Sequence, residues 1–317
     1  MKIIYLDQLH WIEIAKCING RASKEGTQDV VSWMTKLSNE NIAIFPLSIS
    51  HYHETLKQSD SARRKRLAQV MRLLSQGFTV ASLANVVRYE IRSALISMLH
   101  LENEKEELRY IGKGLEHTLG NNFNFSLIFP AEELTDNNIR ESFKNDIFNM
   151  LEDIFLSGSS AGVENLFEKQ DLTPDNLFKD HLERWKGCSS KIKPAELRRI
   201  IYSITFKDIL NLICTELINL NVSEENFFAL GEEGVFKLLD LMPTRKVDMH
   251  LREQWAKNSA LTPKQSDLND WANIGPAICY SDFVVTENQM ASLLSRSQEY
   301  KQKVTADLTE ILRLKVV

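Results

Sequence analysis

The run Ile3-Ile4-Tyr5-Leu6-Asp7 opens this chain with β-branched and aromatic residues, closes on an acid, and leads directly into Gln8-Leu9-His10-Trp11-Ile12. Unbroken apolar character without alternation describes a strand buried on both faces, as strands of parallel sheets are. A carboxylate closing such a strand is costly unless it is solvated or bound to a cation. It can also cap the helix expected over 8–17. In open α/β sheets ligands bind outside the carboxyl ends of the strands, which is where Asp7 falls.

Two further stretches repeat the theme. Ile42-Ala43-Ile44-Phe45-Pro46-Leu47 reads as a second strand that Pro46 ends or confines to an edge. A helix over 49–58 follows it and carries His51, His53 and Glu54. Near the other end, a helix running from Asp267 or Asp270 to Ile278 precedes Asp282 and a strand over 282–286 that closes on Thr286-Glu287. A helix over 287–296 and a strand in the tail complete the pattern. Neither end can bury both faces of a sheet alone, so the two must share one.

Between them, about 80–260 reads as amphipathic helices at 82–100, 138–157, 174–186, 194–220, 231–241 and 245–257. Ser126–Pro130 is the one strand-like run there. The organisation expected is an α/β core from 1–80 and 260–317, interrupted by an α-helical insertion over 81–259.

Bulk properties narrow the function. With 317 residues, 43% hydrophobic and 26% charged, the chain has the composition of a soluble globular protein. A net charge of -5 excludes a globally basic nucleic-acid binder, so any polyanion must meet a local patch and a cation. Cys17, Cys188, Cys214 and Cys279 are far apart, with no CxxC, and read as reduced, buried cysteines. No apolar run is long enough to span a bilayer, and the N-terminal run is too short for a signal peptide. A cytoplasmic location with no membrane partner is expected.

The residues quoted carry a resemblance. Tyr5-Leu6-Asp7 with its following helix, Pro46 to Thr55 with Glu54, and Asp270-Trp271-Ala272-Asn273-Ile274 through Val284-Val285-Thr286 resemble the three acid-bearing elements of PIN-domain nucleases. The match covers about 1–75 and 262–300. It departs from the usual pattern after Thr286. Many members place an Asp two positions on, where this chain has Asn288, and the next residue here is Glu287. The resemblance implies a Rossmann-like parallel sheet with helices on both faces. It also implies a Mg²⁺- or Mn²⁺-dependent endoribonuclease with Asp7, Glu54, Asp270 and Asp282 as its acids. Glu287 competes with Asp282 as the fourth acid, and Asp267 with Asp270 as the third. Carboxylates gathered in one cleft repel one another, and a hard divalent ion resolves that.

Other chemistries fit less well. His51 and His53 lie two apart and do not face each other on a helix, and no cysteine is near, which disfavours zinc. Leu9 stands where a haloacid dehalogenase needs its second Asp. There is no phosphate loop and no GxSxG; Gly112 and Gly114 lie in what reads as helix.

Arg63, Arg64 and Arg66, with Lys65 and Arg72, offer a basic helix face for the RNA backbone beside Glu54. Without the resemblance, a solvated helix face explains them equally. His51, and with less force His53 or His10, is the candidate to contact the scissile phosphate. Trp185, Tyr202, Trp255 and Trp271 at helical spacing read as core. A second expectation is a non-catalytic PIN-like scaffold whose helical insertion binds a protein partner, for which the Glu287/Asn288 departure speaks.

Overall fold

The structure is a computed structural model that describes residues 1–102, 106–120, 148–156, 173–264 and 267–314. Strand β1 (Lys2–Leu6) runs parallel to β2 (Ala43–Ile44) on one side and to β5 (Phe283–Val285) on the other, and β5 pairs with β6 (Val304–Thr305). The order β2-β1-β5-β6 joins both ends of the chain in one parallel sheet.

The unbroken apolar run of β1 has the expected cause. Ile4 and Leu6 enter one apolar cluster, with Trp11 and Ile14 of α1 (Gln8–Ile18) and Val30 and Met34 of α2 (Thr27–Asn39). Tyr5 enters a different cluster on the opposite face. Alternating side chains of one strand thus find two cores, which is what a sheet covered by helices on both faces requires.

Strand β2 lies at the edge of the sheet and is shorter than the run expected over 42–47, ending at Ile44, two residues before Pro46. Beyond it, Leu47 makes a parallel bridge to Thr79, donating its N–H to Phe78 O at 2.9 Å. Here begins an antiparallel pair, β3 (Phe78–Val80) with β4 (Ile111–Lys113). Helices α3 (Ile49–Leu56) and α4 (Ser61–Ser75) precede β3, and α5 (Leu83–Leu99) lies between β3 and β4. Gly112 therefore lies in a strand, not in the helical stretch expected. Helix α6 (Gly114–Leu119) starts at Gly114, whose φ of 74° disfavours a side chain and whose N–H reaches Gly77 O at 2.9 Å.

Helical residues 148–156 (α7), then α8 (Thr173–Trp185), α9 (Pro194–Asn219), α10 (Glu224–Phe228), α11 (Gly231–Asp240) and α12 (Pro243–Lys257) make up the described middle. The strand-like 126–130 and the first part of the helix expected over 138–157 lie outside the described residues. Ile91 of α5, Ile213 of α9 and Val247 and Leu251 of α12 share one core with Tyr5, Val284 and residues of α13 (Asp267–Tyr280) and α14 (Asn288–Leu294). These helices thus pack directly on one face of the sheet rather than forming a core of their own. Trp185, Tyr202, Trp255 and Trp271 are buried in this core as expected. The four cysteines are free, and each is half-buried rather than fully buried. No described helix is long and apolar enough to cross a membrane.

Candidate metal centre

The chain leaves β1 for β2 on one side and returns as β5 on the other, so the carboxyl ends of β1 and β5 flank the switch point of the sheet, the place where open α/β folds bind ligands. Asp7 ends β1. Its N–H continues the ladder to Val285 O at 2.9 Å, and its Oδ1 accepts from Gln8 N at 2.6 Å as the N-cap of α1. Oδ2 lies 3.4 Å from Thr286 Oγ1. Asp7 thus caps α1 through one oxygen and turns the other toward Thr286. His10 Nε2 donates to Thr286 O at 3.1 Å, so the buried His10 positions the end of β5.

Four more acids surround this point. Glu287 follows Thr286 and occupies the N-cap position of α14 without a side-chain capping bond. Asp267 and Asp270 lie three apart in the first turn of α13, hence on one face. Oxygens of Asp267, Asp270 and Glu287 all lie within 4.8 Å of one another. Glu54 arrives from α3, near enough that the charge of Asp7 bears on it.

Electrostatics reflects the crowding. Burial, then the charges of Asp7, Glu287, Glu54 and Asp267, push Asp270 up to about 8. Burial and then Asp7 raise Glu54 to about 7. Burial foremost, and Glu287 to a lesser degree, raise Asp7 and Asp267 from the ordinary carboxylate range. Cations answer them in part: Lys264 Nζ contacts Glu287 Oε2 at 2.9 Å, Lys264 N donates to Asp267 Oδ2 at 2.6 Å, and the charge of Lys57 bears on Glu54. Glu287 Oε1 is buried without a hydrogen-bond partner among the described residues. Hard oxygen donors, mutually repelling and incompletely hydrogen-bonded, could hold a metal ion.

Three expectations need correction. Asp282 is not in this group. It precedes β5, at the amino edge of the sheet, where it accepts from Lys2 Nζ at 2.7 Å and Ile3 N at 2.8 Å. At about 3.3 Å per strand residue, that is about 13 Å from Thr286. Glu287 supplies the acid instead.

His51 does not face a phosphate. It is 1% exposed and closes a capping box. Nδ1 accepts from Ser48 N at 2.8 Å and Nε2 contacts Leu6 O at 2.8 Å, so the ring is a neutral tautomer, and burial lowers its pKa to about 4.

Arg64 belongs to the fold. Its Nη1 donates to Leu56 O at 3.3 Å and Gln58 O at 3.1 Å, satisfying carbonyls at the end of α3. Arg63 and Arg66 remain on the surface and, with Lys16 and Arg21 of the α1 side, line a cleft of about 410 Å³. Arg72 forms an ion pair with Asp153 of α7, and Lys65 is exposed.

Sequence reasoning missed Lys264 altogether and weighed Asp267 only as a substitute for Asp270. The spacing of three, which places both on one helix face, was the available signal for taking the two together. Comparison with family models, with curated proteins and with solved structures found no match to this chain.

Proposed function

We propose that this chain is a PIN-like, metal-dependent endoribonuclease whose centre is the carboxylate cluster at the carboxyl edge of the sheet. The observation that supports it most is the convergence of Asp7, Glu54, Asp267, Asp270 and Glu287 from four separate elements at the switch point of the sheet. A fold gains nothing in stability from pushing two carboxyls to about 7 and 8, whereas a cation site needs that arrangement.

Asp267, Asp270 and Glu287, whose oxygens lie within 4.8 Å of one another, would hold the cation, with Asp7 and Glu54 near enough to complete the oxygen set. When bound, such an ion lowers the pKa of water and stabilises charge on a phosphoryl group. The protein's own contributions are positional. Thr286 and Gln8 N orient the Asp7 carboxylate, and His10 holds Thr286. The Glu54 carboxylate, with a pKa of about 7, suits the role of proton acceptor from the attacking water. Lys16 near the end of α1, Arg21 in the loop after it, and Arg63 and Arg66 at the start of α4 share one cleft and would meet the RNA backbone there.

The test is incubation of a labelled mixed RNA pool with the full chain and Mn²⁺, Mg²⁺ or EDTA. Metal-dependent fragments are expected. Absence of fragments with either metal would favour the partner-binding scaffold.

A further inference from the structure

Lys16, Arg21, Arg63 and Arg66 line one cleft of about 410 Å³, and no acid lines it with them. Two of the four have acids at the border. Lys16 Nζ lies 3.2 Å from Glu13 Oε2, and Arg63 Nε lies 3.6 Å from Asp60 Oδ2. No ion pair ties Arg21 or Arg66 among the described residues. Four cations lining the cleft, less the two bordering acids, leave two positive charges gathered in one place.

These charges do not continue as a track. Helix α1 carries no lysine or arginine between Asp7 and Lys16. Lys57 and Lys264, beside the acid cluster, act on the charges of Glu54 and Glu287. Arg64 is turned to the carbonyls at the end of α3, and Arg72 pairs with Asp153. A groove that follows a strand of phosphodiesters spreads its cations along the backbone, one charge for each phosphate. A concentrated pair of positive charges instead matches a phosphomonoester, which carries about −1.5 to −2 at neutral pH.

The floor of the cleft adds a second element. Ile12 is half-buried, and Ala15 and Leu67 are buried, so apolar surface lies beside the guanidinium groups. Such a floor takes the sugar and base of the nucleotide that carries the phosphate, and the cleft is within the usual size range for a small-molecule site. Lys16 stands nine residues beyond Asp7, roughly 13 Å along the axis of α1. We propose, resting on the nuclease reading, that this cleft holds the phosphorylated end of an RNA strand whose body reaches the acid cluster. Arg21 and Arg66 grip the terminal phosphate, with Lys16 and Arg63 beside it.

The experiment is a fluorescence anisotropy titration of the full chain in EDTA, so that binding is read without cleavage. The probes are one short RNA made with a 5′-phosphate, with a 3′-phosphate, or with hydroxyls at both ends. One phosphorylated form is expected to bind about tenfold or more tightly than the hydroxyl form, and which one identifies the end recognised. Arg21→Gln with Arg66→Gln should remove that preference. Ala22→Glu places an acid at an exposed position lining the cleft, and should remove it even if the arginine variant proves unstable. Equal binding of all three RNAs, or an end preference that survives both variants, would overturn the subsite. An end preference in a chain that cuts no RNA with Mn²⁺ would sink the nuclease and leave the subsite. Metal-dependent cutting with no end preference would do the reverse.

Discussion

Lys264 Nζ lies 2.9 Å from Glu287 Oε2, and the same residue's N–H holds Asp267 at 2.6 Å. One lysine thus serves as counter-charge to a group of acids that it cannot neutralise alone. Lys264→Met should lower the melting temperature in EDTA by a small amount, since a partly exposed pair is worth about 0–1 kcal/mol. Mn²⁺ should restore it, because the cation takes over the lysine's electrostatic role. Thermal unfolding with and without Mn²⁺ checks this, and a loss that Mn²⁺ does not recover would assign Lys264 a purely structural part.

The acid cluster sets a pH dependence whose sign can be worked out. Asp270 at about 8 and Glu54 at about 7 are raised above their unfolded values, so the metal-free folded state holds more protons than the unfolded one at neutral pH. Their contribution to stability is therefore present at low pH and lost as pH rises through those values. A cation binds the deprotonated form, so stabilisation by Mn²⁺ should grow as pH rises from 6 to 8. Melting curves at matched Mn²⁺ over that range read it directly. A shift that shrinks with rising pH would contradict the site.

His51 obeys the opposite sign. Buried and neutral, with its pKa lowered to about 4 from 6.5, it contributes stability that is present above 6.5 and lost as pH falls toward 4. His51→Ala leaves Ser48 N and Leu6 O without their partner and should cost about 1–3 kcal/mol. RNA affinity at neutral pH should not change. Denaturant unfolding beside filter binding separates the two, and weakened RNA binding by a fully stable variant would restore a phosphate-contact role.

The basic helix divides by position. Arg63→Gln with Arg66→Gln should weaken RNA binding and make its salt dependence shallower by about 0.7 per lost contact with single strands. Arg64→Gln should act on stability through the end of α3. An unchanged salt slope in the double variant would leave Arg63 and Arg66 as a solvated face.

How much of this was legible in sequence follows from the physics of each element. The apolar run into Asp7 announced both a two-face-buried strand and its terminal acid, because burial on both sides removes alternation. Asp282 was misplaced because a strand of three residues has acids at both ends, and only strand direction tells which edge each occupies. His51 invited a catalytic reading by residue type. Its actual task, taking the reciprocal place in a capping box behind Ser48, depends on geometry that the spacing Ser-x-x-His signals only weakly. Strands β3 and β4 were hidden by their brevity. With three residues each, and glycine in β4, they carry no measurable period.

The nuclease reading makes the carboxyl-edge acids, and not Asp282 at the amino edge, the working centre. Its most direct test compares Mn²⁺-dependent RNA cleavage by wild type, Asp7→Asn and Asp282→Asn at equal, verified fold. Cleavage abolished by Asp7→Asn and retained by Asp282→Asn is the predicted result. Cleavage that survives Asp7→Asn, or disappears only with Asp282→Asn, would contradict it.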